Sequence, residues 1–156
     1  MTGHAHDSHA APDVTRLALA ATRHCLTGCA IGEVLGLAIA GAIGLPTEPA
    51  MLLGIALAFV FGYSFTFVPL VRSGVAIAEA LRITLAADTI SITVMEAVDN
   101  LVIMLVPGAM EAGLDSGLFW ASLAAGFAVA FVATFPVNRW LISRGRGHAV
   151  AHGRHG

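Results

Sequence analysis

Acidic residues inside apolar segments constrain this chain more than any other feature of its sequence. Asp88, Glu96 and Asp99 lie within a segment that is otherwise apolar enough to cross a membrane, and Glu33 lies within another such segment. A carboxylate in hydrocarbon costs on the order of a few kcal/mol on insertion scales, so such groups normally face a bundle interior and mark a path or a site. The sequence therefore predicts a membrane protein with a polar interior.

Four segments are long and apolar enough to span a bilayer, which takes about 20 mostly apolar residues. They cover approximately residues 25–45, 49–71, 83–106 and 116–137. Only 12% of the residues are charged, against about 25% in a typical soluble domain. We therefore expect an all-α, polytopic membrane protein with a four-transmembrane-helix bundle over residues 16–144. A His-rich polar tail at 1–15 and a tail rich in His, Arg and Gly at 145–156 flank it.

The basic residues predict how the bundle is oriented. All eight are arginines, and they lie before the first segment, between the second and the third, or after the fourth. The other two loops, around Glu48 and around Glu111, contain none. Because basic loops stay in the cytoplasm, both termini are expected to be cytoplasmic. The net charge of −2 leaves a nucleic-acid partner no electrostatic footprint.

The third segment is amphipathic within the membrane. At about 100° per residue, one face carries Asp88 and Asp99, while Glu96 lies at the edge of that face. The first and third segments run in the same direction and are diagonal in an up-down bundle, so Glu33 is expected at a depth between Asp88 and Glu96. Buried carboxylates without basic partners protonate or bind cations. The predicted ion or proton pathway comprises Asp88, Ser91, Glu96, Asp99 and Asn100. The alternative is that protonated acids only hold the helices together through hydrogen bonds.

Soft metal ligands cluster at the start of the first segment. Cys25 and Cys29 are four residues apart and so share a helix face, His24 precedes them, and Met95 of the third segment adds a thioether. Thiolates and thioethers favour Cu(I), and imidazole with thiolate suits copper or zinc. The predicted metal ligands are His24, Cys25, Cys29, Glu33 and Met95, with copper as the favoured ion and zinc or nickel as alternatives. The alternatives for the cysteines are that they are buried small hydrophobic residues or a thiol pair with no role in metal binding.

The amino-terminal tail holds a secondary metal candidate. Removal of the initiator Met would leave Thr2-Gly3-His4 at the start of the chain. A His at the third position can complete a square-planar nitrogen site of the kind that Cu(II) or Ni(II) prefers. His4 is therefore a secondary metal ligand in this hypothesis, whereas a solvated tail is the alternative.

Two further patterns predict packing rather than chemistry. Small residues recur at every fourth position of the first segment, at Gly28, Gly32, Gly36 and Ala40. Such a stripe lets helix backbones approach closely, within or between subunits. Near the end of the fourth segment, residues 135–139 indicate a helix end or kink at the cytoplasmic surface. Asn138 and Arg139 are expected to cap or anchor it.

Several of these motifs together resemble a known family. They are His24-Cys25-Leu26-Thr27-Gly28-Cys29, Gly32-Glu33, Ala86-Ala87-Asp88-Thr89, Met95-Glu96 with Asp99-Asn100, and Phe135-Pro136-Val137-Asn138-Arg139-Trp140. They look like a small bacterial integral-membrane family classified as a domain of unknown function (number four-three-nine-six). The resemblance covers about residues 20–150. It implies the inner membrane of a bacterium and an association with copper-handling proteins, and it supplies no mechanism.

Three functions follow as expectations. The first is a transporter, channel or handler of a transition-metal cation, copper above all, with a Cys/His capture site at the cytoplasmic end and a carboxylate column that can couple to protons. This protein would be a homo-oligomer, because four spans are few for an alternating-access transporter, and it would not be an enzyme. The second is a membrane thiol oxidoreductase using Cys25 and Cys29, although their spacing is not Cys-x-x-Cys. The third is a non-catalytic assembly subunit of a larger membrane complex.

Overall fold

Four long helices make up nearly all of the described chain. The structure is a computed structural model that describes residues 13–144. Its helices are α1 (Val14–Ile43), α2 (Thr47–Arg72), α3 (Ile77–Leu105) and α4 (Gly117–Ser143). The predicted all-α architecture of four helices is confirmed, and α1 begins earlier than the first apolar segment. The tail residues, His4 among them, lie outside the described residues.

Local chemistry explains where α1 begins and ends. The side chain of Asp13 accepts a hydrogen bond of 2.9 Å from the backbone N–H of Thr15, which satisfies one of the free donors at a helix start. Gly44 ends the helix with φ at 68°, a left-handed conformation that glycine adopts without steric cost. Only residues 44–46 separate α1 from α2, so these helices must be antiparallel neighbours.

Three of the four helices, α1, α2 and α4, are long and apolar enough to cross a membrane. This supports a membrane environment for the bundle. The exception is α3, which is 29 residues long and carries the acidic residues that the sequence places in the interior. Trp120 and Trp140 are half-exposed near opposite ends of α4, as expected of residues at the two membrane–water interfaces.

The helices form a square in which each packs against its two neighbours in the order α1, α2, α3, α4, and α1 also contacts α3 across the centre. We call the end with residues 44–46 and 106–116 the loop end. The opposite end, where α1 and α3 begin and α2 and α4 end, is the terminal end. All six described arginines lie towards the terminal end, namely Arg16, Arg23, Arg72, Arg82, Arg139 and Arg144.

The predicted glycine stripe of α1 faces α2 within the same chain. A Cβ atom at Gly28 would lie 2.7 Å from the Cα of Gly62, and one at Gly36 would lie 2.5 Å from the Cα of Gly54. Between them, a Cβ at Gly32 would collide with the backbone of Ala58. Small residues on both helices therefore bring the two backbones into contact, which determines how far along α2 each residue of α1 lies.

Candidate functional site

Three carboxyl groups meet where α1 crosses α3 at the centre of the bundle. Glu33 of α1 interacts through its side chain with both Glu96 and Asp99 of α3. The three side chains are buried, with exposed fractions of 5%, 4% and 0%. We call them the carboxyl cluster. The sequence predicted that these acids face inward, and the structure brings Glu33 to the level of Glu96 and Asp99 rather than between Asp88 and Glu96.

No basic side chain among residues 13–144 neutralises this cluster. The side-chain interactions that Glu33, Glu96 and Asp99 make are with one another and with Cys29. One oxygen of Glu33 and both oxygens of Glu96 and of Asp99 are buried without a hydrogen-bond donor. Two carboxylates cannot donate to each other, so their close approach requires a shared proton or a cation between them. The cluster is therefore suited to hold exchangeable positive charge.

The opposing helix leaves room for the cluster. Gly126 of α4 lies against Asp99, and a Cβ atom at that position would collide with the Asp99 carboxyl group. On the other side, the α1 and α2 backbones pack closely at Gly36 and Gly54. Glycine at these positions lets a charged side chain lie between tightly packed helices.

Three sulfur-containing side chains lie on the terminal-end side of the cluster. Cys25, Cys29 and Met95 are buried in one core group, and the thiols of Cys25 and Cys29 interact with each other. The Cys29 thiol also interacts with Glu96, and the hydroxyl of Thr134 lies 3.9 Å from the Met95 sulfur. We call these three residues the sulfur group. The structure thus brings together the predicted soft ligands of α1 and α3.

The depth of the cysteines differs from the predicted capture site at the cytoplasmic end. Cys25 and Cys29 have exposed fractions of 6% and 0%, because the stripe that carries them faces α3 and α4 in the middle of the bundle. An ion would therefore reach them only through the interior. They are not an open surface site in this structure.

His24 and Asp88 lie nearer the terminal end and interact with each other electrostatically. The Asp88 side chain also interacts with Thr66 of α2, and it is buried. The His24 ring packs edge-on against Phe65, with ring centroids 5.0 Å apart. His24 thus belongs to the polar interior but lies beside Asp88 rather than with the sulfur group.

Ser91 takes part in a hydrogen-bonded bridge that joins three helices. It donates to the side-chain oxygen of Asn138 on α4, and Asn138 donates to the hydroxyl of Thr22 on α1 at 2.9 Å. Thr22 in turn donates to the backbone carbonyl of Ala18 at 2.8 Å. The expectation that Asn138 caps a helix end was wrong. Because α4 continues to Ser143, Asn138 lies within the helix and crosslinks the bundle.

A cavity of about 200 Å³ lies at the loop end and extends to the cluster. Glu33 and Asn100 line it, and the Asn100 amide donates to the backbone carbonyl of Glu96 at 2.9 Å. Asn100 and Glu33 thus both contribute to the wall of the cavity. The other polar and sulfur residues of this cavity could not be predicted from the sequence, since they are distant in sequence and share no spacing pattern.

The predicted residues therefore form a column rather than one site. From the loop end it runs through Asn100, the carboxyl cluster and the sulfur group to His24, Asp88 and Ser91. No three His, Cys, Asp or Glu side chains between residues 13 and 144 are arranged as a ready metal-binding group. Methionine is not among these four residue types, so a soft ion would have to be bound by the thiols of Cys25 and Cys29 together with the Met95 sulfur.

Comparison with known families identifies the chain. A family described as a domain of unknown function (DUF4396) matches residues 16–147. The chain belongs to this family, which agrees with the resemblance that its motifs suggested. Neither a curated protein nor a solved structure shows a significant match to the chain.

Proposed function

We propose that this protein moves or handles a transition-metal cation within the membrane, with copper as the favoured ion, and that the carboxyl cluster couples this to protons. The observation that carries the proposal is the meeting of Glu33, Glu96 and Asp99 without a basic partner among the described residues. Such a cluster is stable only when a proton or a cation occupies it. Its position at the centre of the bundle supports a role for that charge in movement across the membrane.

The sulfur group supports copper as the ion. Cys25, Cys29 and Met95 provide two thiols and a thioether in one buried group, and soft ligands of this kind select Cu(I). Metal binding displaces the thiol protons, and the Cys29 thiol interacts with Glu96. Glu96 is therefore positioned to accept such a proton, which links the ion to the carboxyl cluster.

The proposed location is the inner, cytoplasmic membrane of a bacterium, with the terminal end in the cytoplasm. The arginines at that end support this orientation through the positive-inside rule. A homo-oligomer is proposed because four helices are few for a transporter that works alone, and copper-handling proteins are the proposed partners. Single cysteines at position 48 or 111 (Glu48→Cys or Glu111→Cys), in a Cys25→Ala/Cys29→Ala background, test the orientation. A thiol reagent that does not cross the membrane should label them only from outside the cytoplasm.

Elemental analysis of the full-length protein, purified in detergent after growth with added copper, tests the function. We expect stoichiometric copper in the natural protein and a lower copper content in Cys25→Ser/Cys29→Ser. Glu48→Gln is the matched control, because Glu48 is an exposed acid near the start of α2. Equal copper in the natural protein and the double variant, or none in either, would contradict the proposal.

A further inference from the structure

The loop-end cavity is lined by three methionines that the sequence pattern did not bring together. Met51 comes from α2, Met104 from α3, and Met110 from the segment between α3 and α4. The chain has five methionines in all, so three of the five line this one cavity. Their convergence from three separate parts of the chain provides several thioethers around a space large enough for an ion.

The floor of the cavity is a buried acid. Glu33 lines the cavity, has an exposed fraction of only 5%, and has a side-chain oxygen with no hydrogen-bond partner. Met104, in contrast, is 60% exposed, so the cavity is lined both by a residue at the protein surface and by a buried carboxyl group. A positive ion that enters would be drawn towards Glu33, and the residues lining the cavity include no arginine.

The chemistry of the lining indicates which ion fits. Thioethers are neutral, soft ligands that favour Cu(I), whereas harder divalent cations prefer oxygen ligands. Methionine is also a flexible filler of apolar cores, and that role alone would account for one such residue. Three methionines around a cavity that ends at a carboxyl group with one unpartnered oxygen favour a binding role.

We propose that Met51, Met104 and Met110 form a thioether site that takes Cu(I), or its surrogate Ag(I), at the loop end and passes it towards Glu33. This inference rests on the proposed function, since it names where the ion is first bound. It adds a site on the opposite side of the carboxyl cluster from Cys25 and Cys29. The ion enters without a change of oxidation state.

Methionine-methyl NMR of the full-length protein in nanodiscs tests the site directly. The protein is labelled with ¹³C-methyl methionine and carries Cys25→Ala/Cys29→Ala, so that the thiols do not compete for the ion. Alanine is suitable at the two cysteine positions because Ala58 and Ala130 already pack in the same core group. Single Met→Leu variants assign the resonances. On addition of Ag(I), the Met51, Met104 and Met110 resonances should shift together, while that of the buried Met95 stays in place. Shifts at Met95 alone, or none at the three cavity methionines, would overturn the inference.

Affinity provides a second measurement that separates binding from packing. In the same background, Met51→Leu/Met104→Leu/Met110→Leu should weaken Cu(I) binding, measured against a competing chelator, by at least about 10- to 100-fold, the range seen even for groups that only support a metal ligand. Ile55→Leu/Ile103→Leu is the matched control, since both residues line the cavity without sulfur. Equal weakening in the control would also overturn the inference.

The outcomes distinguish this inference from the proposed function. If the protein with its cysteines binds Cu(I) and the triple leucine variant changes neither stoichiometry nor affinity, the inference fails and the proposed function stands. If the natural protein binds no Cu(I), both fail. If the cavity methionines bind Ag(I) but Cys25→Ser/Cys29→Ser does not lower the copper content, the methionine site stands and the proposed copper binding by Cys25 and Cys29 fails.

Discussion

Two regions of the polar column, the hydrogen-bonded bridge of Ser91 and the carboxyl cluster, differ in how their buried polar groups are satisfied. Towards the terminal end, Ser91, Asn138 and Thr22 satisfy one another through hydrogen bonds across three helices. Towards the loop end, Glu33 lines a cavity and keeps one oxygen without a partner. Satisfied neutral groups hold helices together, whereas an unsatisfied carboxyl group stays available for a proton or an ion. A buried polar residue in this bundle therefore does not indicate function unless its hydrogen bonds are also left unsatisfied.

The largest expected effect is at the carboxyl cluster. Glu33→Gln removes the exchangeable charge but keeps the size of the side chain. We expect ion-driven proton movement in proteoliposomes to fall by about 10²- to 10⁴-fold, the contribution of a positioned proton-transfer group. A pH-sensitive dye inside the vesicles measures it while Cu(I) or Ag(I) is added outside. Glu48→Gln is the control, and unchanged flux in Glu33→Gln would remove the distinction between the two regions.

Separating α1 from α2 should lower the stability of the whole bundle. Gly32→Ala places a Cβ atom against the backbone of Ala58, and overpacking of this kind costs about 1–3 kcal/mol. Gly41→Ala is the matched control, because no atom lies within 4 Å of a Cβ there, and it should be neutral or gain about 0.5–1 kcal/mol. Thermal unfolding in detergent compares the two variants. Equal stability would mean that the close backbone contact is absent.

Removing the bridge should affect the hydrogen-bonded region selectively. Asn138→Ala breaks the connection between Ser91 and Thr22, and hydrogen bonds between membrane helices contribute about 0.6 kcal/mol on average, up to about 1.7. We expect a loss of stability of about 1 kcal/mol in this range and unchanged Cu(I) affinity. Ser64→Ala is the control, because the Ser64 hydroxyl bonds only to Val60 of its own helix among the described contacts. A large loss of Cu(I) affinity in Asn138→Ala would show that the two regions are not distinct.

The smallest expected effect comes from crowding the carboxyl cluster. Gly126→Ala brings a Cβ atom onto the Asp99 carboxyl group, which is the end of a side chain rather than backbone. We expect stability to fall by up to about 1 kcal/mol, the centre of the distribution for point substitutions, and the pH dependence of ion-driven proton movement to shift. Gly117→Ala, where no atom lies within 4 Å of the added Cβ, should shift neither. Identical pH profiles would place Asp99 outside the proton route.

Helical periodicity was enough to predict which residues face inward. The polar face of α3 was predicted from a spacing of about 100° per residue, and Asp88, Glu96 and Asp99 are all buried. The stripe of small residues on α1 likewise predicted a close helix contact. Periodicity specifies the face of a helix but not the residue opposite to it. The pairing of Glu33 with Asp99, and of Asn138 with Thr22, therefore had to come from the structure.

Residues without a pattern of their own were missed for the same reason. Met51, Met104 and Met110 lie at helix ends or in a connecting segment, where spacing along one helix carries no information. Only the antiparallel return of each helix brings these residues to one end of the bundle. Asn138 was placed at a surface because its neighbour Pro136 suggested a helix end, whereas α4 continues through that proline.

The order of residues along the chain was enough to predict a helical membrane protein with its arginines at one end and its acids inside, because hydrocarbon tolerates charge only in a shielded interior. Which acids meet, how deep the cysteines lie and where a cavity remains could be seen only in the folded bundle. These features depend on the relative register of the helices. Close contact of the α1 glycines with α2 determines the register of α1 against α2. This register is a property of a pair of helices, so the spacing of residues along one helix does not predict it.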